Sequence, residues 1–175
     1  MGRENVLNAA RHEFAARGYA ATSTRNICDR AKVTAPTLYH HFGNKAGVYA
    51  AVVEQLNDRI ITAFERAIEG IDSYAERVVA IVEASREVQR TEPDIAQFVL
   101  SSQQDVARHK ELARVKPAMS RLARFAASVG STRSDSSVVL MVIFGLARLA
   151  VVQSPREYRA STDAVIAMVR AGLAK

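Results

Sequence analysis

The chain of 175 residues has one cysteine, four prolines, eight glycines and no tryptophan. A single thiol, Cys28, excludes an intrachain disulfide and any structural zinc site built on thiolates. It fits a reducing compartment, and Cys28 reads as a small core residue rather than a redox sensor. With so few breakers, long stretches rich in alanine and aliphatic residues run on, which suits packed helices better than a sheet. There is no HExxH, no GxSxG and no phosphate-cradling glycine loop. The histidines, His12, His40, His41 and His109, form no metal-ligand pattern. No enzymatic activity, cofactor or metal is expected. The N-terminus is polar and already helix-like, so no signal peptide is read there. The most apolar run, Val138 to Val152, is short for a bilayer span and is interrupted by Arg148. A buried helix in a cytoplasmic protein, with no membrane partner, is the expectation.

What is present is positive charge, unevenly placed. The net charge is +6, yet residues 1–50 hold seven Lys or Arg against three Asp or Glu. Most of the surplus therefore sits in under a third of the chain. A basic segment points to phosphate or an acidic surface as partner. On charge alone, a merely soluble basic protein fits as well.

Apolar periodicity predicts an all-α chain of about nine helices, over roughly 3–17, 24–31, 35–41, 45–69, 73–90, 93–107, 109–128, 135–153 and 156–173. In the first, Val6, Leu7, Ala10 and Phe14 build one stripe, and Gly18 stands where a positive φ ends a helix cheaply. In the fourth, Val48, Val52, Leu56, Ile60 and Phe64 recur every fourth residue. Gly130 to Ser137 is a polar break. Only Gly43-Asn44 separates the third helix from the fourth. A small domain over 1–46, rigidly continued into a larger helical domain over 47–175, is the reading.

Residues 22–45 carry the most specific signal. Ser23 suits an N-cap for the second helix. Ile27, Ala31 and Val33 face inward, and Lys32-Val33-Thr34 makes a tight turn. Thr34 is placed to cap the third helix by accepting from the Thr37 amide, and Pro36 falls in the first turn, where no amide hydrogen is needed. Leu38 and Phe42 pack against Phe14 and Ile27. The outer face is left with Ala35, Thr37, Tyr39, His40 and His41, small or hydrogen-bonding groups with few carboxylates nearby. Such a face can lie in a major groove. The start of the second helix, with Arg25, suits a phosphate.

This stretch resembles the DNA-binding domain of the tetracycline-repressor (TetR) family. The marks are Phe14-Ala15-Ala16-Arg17-Gly18-Tyr19, Ile27, Leu38-Tyr39-His40-His41-Phe42 and Lys45, over roughly residues 3–53. The resemblance implies an N-terminal three-helix helix-turn-helix domain, followed by a larger helical domain for ligand binding and dimerisation. It implies DNA contacts at Thr24, Arg25, Thr34, Ala35, Pro36, Thr37, Tyr39, His40, His41 and Lys45. Lys32 stands where the family often has glycine, and carries strain if that turn needs a positive φ. The implied function is a ligand-responsive repressor that binds a palindromic double-stranded operator as a homodimer and leaves it on binding a small apolar or amphipathic inducer. A regulator controlled by a protein partner, or by no ligand, is the alternative.

Beyond residue 55 only the helical pattern and the apolar penultimate helix agree with the family. The resemblance puts the dimer on the last two helices, here at Val138, Met141, Val142, Gly145, Leu149, Val165, Met168, Val169 and Leu173. Pocket candidates are Arg86, Phe98, Gln103, Met119, Met141, Phe144 and Arg148, polar or adaptable residues on largely apolar helices; for the Met and Phe residues a plain core role is the competing reading. For Arg148, access to water ranks ahead of a carboxylate across the dimer and of an anionic ligand.

Overall fold

The computed structural model describes residues 2–173, the side chain of Leu173 excepted. It is all-α, and the described residues contain no strand. The helices are α1 (Gly2–Ala21), α2 (Thr24–Ala31), α3 (Ala35–Phe42), α4 (Lys45–Ile68), α5 (Tyr74–Thr91), α6 (Asp94–Arg108), α7 (Lys116–Val129), α8 (Arg133–Val152) and α9 (Pro155–Leu173). A 3-10 helix, Lys110–Val115, precedes α7. One continuous helix over 109–128 was expected there. Pro117 is the reason it fails: a ring without an amide hydrogen fits the first turn of α7 but not a helix interior. Likewise, the polar stretch read as a break supplies the first turn of α8. Thr132 and Asp135 close a capping box, and the Asp135 carboxylate accepts from the Ser131 and Thr132 amides, each at 2.9 Å. Those bonds hold the Asp135 carboxyl below the usual range.

The chain divides into two compact units. The first comprises residues up to Asn57 together with Phe98–Met119. Its core takes Val6, Leu7, Ala10 and Phe14 from α1, Ile27 from α2, Leu38 from α3 and Val48, Val52 and Leu56 from α4. Phe14 meets Tyr49 edge to face at 4.8 Å, and Phe98 lies 5.4 Å from Tyr49. Each such fully buried side chain contributes about 1.5–3 kcal/mol of burial.

The second unit comprises Asp58–Gln97 and the chain from Ser120 onward. Ile60 and Phe64 continue the expected α4 row into its interior, where the Phe64 ring lies tilted against Phe125 with centroids 5.8 Å apart. Val79 and Val82 of α5, Leu146 of α8 and Tyr158 and Ile166 of α9 form a second cluster.

Two backbone positions in the first unit are special. Lys32 has φ 54° and ψ 45°, so the turn between α2 and α3 does require the left-handed region, in a residue with a Cβ. Gly47, in the first turn of α4, has no room for a Cβ, which would overlap the Phe42 carbonyl oxygen. The two sites predict opposite results in thermal melts. Lys32→Gly should raise stability by about 1 kcal/mol or less, relief of strain being partly offset by backbone entropy. Gly47→Ala should lower it by more than about 2 kcal/mol, because the clash is with backbone that cannot yield.

Candidate nucleic-acid interface

The interface begins with how α1 ends. Gly18 has φ 72° and ψ 173°, a conformation open only to glycine, and it interrupts α1 as expected. The following backbone is then tied down. The buried Thr22 hydroxyl donates to the carbonyls of Glu13 and Gly18, at 3.0 and 2.8 Å. The Lys45 ammonium donates to the carbonyls of Tyr19 (2.9 Å) and Thr22 (3.0 Å) and stands 4.2 Å from the Tyr19 ring centroid. Burial pulls the Lys45 pKa down. Lys45, expected only as a phosphate contact, is therefore also the cap on the carbonyl end of α1.

Ser23 caps α2 as expected, within a capping box completed by Asn26. Thr34 does not cap α3 in the expected way. Its hydroxyl meets the Thr37 hydroxyl at 3.0 Å and makes no bond to a backbone amide. The two threonines thus hold each other on the outer face. Thr24 and Tyr39 join α2 to α3 by a second hydroxyl pair at 3.2 Å.

The proposed DNA contacts lie together. Arg25 is 91% exposed along its side chain, with only a long 3.9 Å approach to Asp29. Thr34, Ala35, Pro36, Tyr39, His40 and His41 are exposed, and Thr24, Thr37 and Lys45 half-buried. The two histidine rings contact edge to face at 5.3 Å.

Two participants escaped the sequence reading. Glu13, 5% exposed, ion-pairs with Arg30 at 2.7 Å and Arg17 at 3.3 Å. One of the few carboxylates in the basic segment is thereby turned inward and compensated, while it ties α1 to α2. Arg3 places its guanidinium 5.7 Å from the Phe42 ring centroid. It brings an exposed cation beside α3. Arg3 stays on the exposed side of α1, so periodicity carried no signal for it. Glu13 falls at i+7 from Val6 and i+4 from Ala9, on the buried face, where a carboxylate marks an ion pair.

The pocket candidates divide between the two units. Phe98, Gln103 and Met119 fall in the first unit, and Arg86, Met141, Phe144 and Arg148 in the second. Phe98 is fully buried and Gln103 exposed. Arg86 is engaged inside the second unit. Its Nε donates to the fully buried Thr162 hydroxyl at 2.6 Å, and it pairs with Asp163. Arg148 is exposed, in keeping with a side chain that reaches water. A groove of about 440 Å³ does exist in the second unit, with a floor of Ile60, Ala63, Ala67, Val88 and Ile95, and Arg59 and Arg66 also line it. None of the expected pocket residues lines that groove.

On α8, Val139, Ile143 and Leu146 face the unit's interior, whereas Met141 is 67% exposed. Met168 on α9 is 65% exposed, and Val138 is also exposed. Val142, Leu149, Val165 and Val169 are half-buried against the second cluster, and Gly145 is exposed. The side chain of Leu173 lies outside the described residues. Met141, Val142, Gly145, Leu149 and Val165 line a shallow apolar channel of about 170 Å³. Among the described residues, α8 alone is long and apolar enough to cross a membrane by length and composition. Its 20 residues exceed the run read from the sequence, and most of them are half-buried or exposed in this chain, unlike those of a core helix.

Residues 6–52 match the family model described as bacterial regulatory proteins, tetR family. The chain is 35% identical over 85 residues to the HTH-type transcriptional regulator UidR of Escherichia coli (strain K12), a match covering 49% of this chain and 43% of that protein. It is 37% identical over 82 residues to the HTH-type transcriptional activator FasR of Mycolicibacterium smegmatis, covering 47% and 37%. The matches thus span less than half the length of these curated relatives. Over nearly the whole chain, the fold is similar to that of the transcriptional regulator FadR from Bacillus subtilis, solved in complex with stearoyl-CoA. That likeness has a TM-score of 0.79 at 14% identity and covers 95% of this chain and 96% of that one. By its helix-turn-helix and its sequence match, the segment of residues 6–52 belongs to the tetR family of bacterial regulatory proteins, and the all-helical fold of the chain is similar to that of solved transcriptional regulators.

Proposed function

We propose that this protein is a transcriptional regulator, most simply a repressor, that grips a roughly palindromic duplex operator as a homodimer. The observation that carries the reading is the outer face formed by the start of α2 and by α3. It gathers Arg25, Thr34, Thr37, Tyr39, His40 and His41, with the Asp29 carboxylate 3.9 Å from the Arg25 guanidinium. A face of hydroxyls, imidazoles and guanidinium suits base edges and phosphates. The cytoplasm, where DNA is found, is the matching location.

The dimer reading is supported by the apolar surface on α8 and α9. One helix-turn-helix is too small for tight specific binding, so two should act together. A second copy of this chain covers Met141 and Met168 by presenting the same patch in return. Release by a small apolar or amphipathic inducer is supported by the fold alone, through a structural neighbour solved with stearoyl-CoA. Control by a protein partner, or by no ligand, is favoured by a different observation. The guanidinium of Arg86 is already committed to Thr162 and Asp163, and Phe98 packs against Tyr49.

Two outcomes test this function. Affinity for duplex DNA should fall steeply between low and moderate salt. On a selected operator, Arg25→Ala or Thr37→Ala should cost about 1–3 kcal/mol if the side chain meets a base. Losses equal on operator and random duplex would mean that these residues only position the protein, and binding indifferent to salt would remove DNA as the partner.

For assembly, Met141→Glu and Met168→Glu are better placed than changes at Val169, which already packs on the core. Each should cost the dimer several kcal/mol and leave a helical monomer with lost operator binding. Sedimentation of the wild type as a monomer at micromolar concentration would contradict the dimer.

A further inference from the structure

We propose that Asp105, on α6, is a positioning residue for the phosphate-facing start of α2, acting through Tyr19 and Tyr49. The inference rests on the DNA-binding reading above. One carboxylate oxygen of Asp105, Oδ2, accepts two hydrogen bonds: from the Tyr49 hydroxyl at 2.9 Å and from the Tyr19 backbone amide at 3.3 Å. The three residues lie in the same compact unit, on α4, α6 and the end of α1.

Tyr19 is the first residue after the Gly18 kink, and it is held from both sides. Asp105 takes its amide and Lys45 takes its carbonyl. Its ring meets Tyr49 at 5.2 Å and His109 at 5.0 Å. Four residues later Ser23 caps α2, and Thr24 and Arg25 follow. The backbone path from Gly18 to Ser23 fixes where those two side chains and the first amides of α2 stand. A carboxylate on α6 thereby sets the position of a DNA-contacting helix end on which it does not itself lie.

The bond at Tyr49 is costly to lose. Tyr49 is fully buried, and burial with the nearby carboxylate pushes its phenol far up, so the hydroxyl stays protonated and donating. Without Oδ2 the buried hydroxyl and the Tyr19 amide both lose their acceptor. The cheapest relief is movement of the short segment after Gly18, where the glycine already permits other conformations.

The test is binding of the full chain to a duplex selected from random-sequence DNA by the wild-type protein, titrated over about 50–200 mM salt. Asp105→Ala should bind about tenfold more weakly, with a salt slope shallower by about one unit for each phosphate contact displaced. Asp105→Asn retains one oxygen able to accept both bonds, so it should restore the wild-type slope and most of the affinity. Tyr49→Phe keeps the ring and removes one donor. It should show an intermediate loss with a shallower slope, and it decides the matter if Asp105→Ala does not fold. A merely structural role would reduce the fraction of active protein and leave the slope unchanged. Wild-type slopes in Asp105→Ala and Tyr49→Phe, or in Tyr49→Phe alone if Asp105→Ala does not fold, overturn the inference while leaving DNA binding standing. A wild-type protein that selects no duplex overturns the DNA-binding reading, and the inference with it.

Discussion

Between the kink at Gly18 and the cap at Ser23 the chain reverses from α1 into α2, and one ammonium group holds that reversal. Lys45 reaches from the first residue of α4 to the Tyr19 and Thr22 carbonyls, which have no helical partner once α1 is broken. A cation at the carbonyl end of a helix also meets its dipole favourably. α2 and α3 have eight residues each, too few to stand alone. Their placement depends on Lys45, on the Glu13–Arg30 pair and on the core around Phe14, Ile27 and Leu38. The candidate recognition surface is thus an outcome of packing on its far side.

This arrangement separates two uses of charge. Glu13 and Arg30 neutralise each other where they are partly buried, and Lys45 satisfies backbone carbonyls. Arg25 and Lys32 remain exposed on the outside. The segment's positive surplus is therefore not spread evenly over its surface. The Lys45 ammonium is taken up by backbone carbonyls, and the guanidinium of Arg25 stays exposed. The second unit shows the same economy at Arg86, whose charge is satisfied internally by Thr162 and Asp163.

The helices, their order and most of the core were legible because 3.6-residue periodicity reports directly on burial. Val48, Val52, Leu56, Ile60 and Phe64 are all buried as that row requires. The turn at Lys32 and the break at Gly18 were legible from residue chemistry. What escaped depends on contacts between distant parts of the chain. Nothing local distinguishes Asp105 from a solvated carboxylate, since its partners Tyr19 and Tyr49 are 86 and 56 residues away. The register of Glu13 on the buried face of α1 was legible, but its partner Arg30, 17 residues away, was not. The 3-10 helix before α7 could have been read from Pro117, which forbids the continuous helix that periodicity alone suggested. Arg86 and Phe98 show the reverse case. Their residue types suggested a ligand, yet each already has partners within its own unit.

The proposed function requires that two copies of the α2–α3 face meet one duplex. Hydroxyl-radical cleavage of a selected duplex in the presence of the protein tests it most directly. Two related protected tracts, their centres about one helical turn or a multiple apart, ~34 Å for one turn, are the predicted result. A single tract, or a cleavage pattern unchanged by saturating protein, would contradict it.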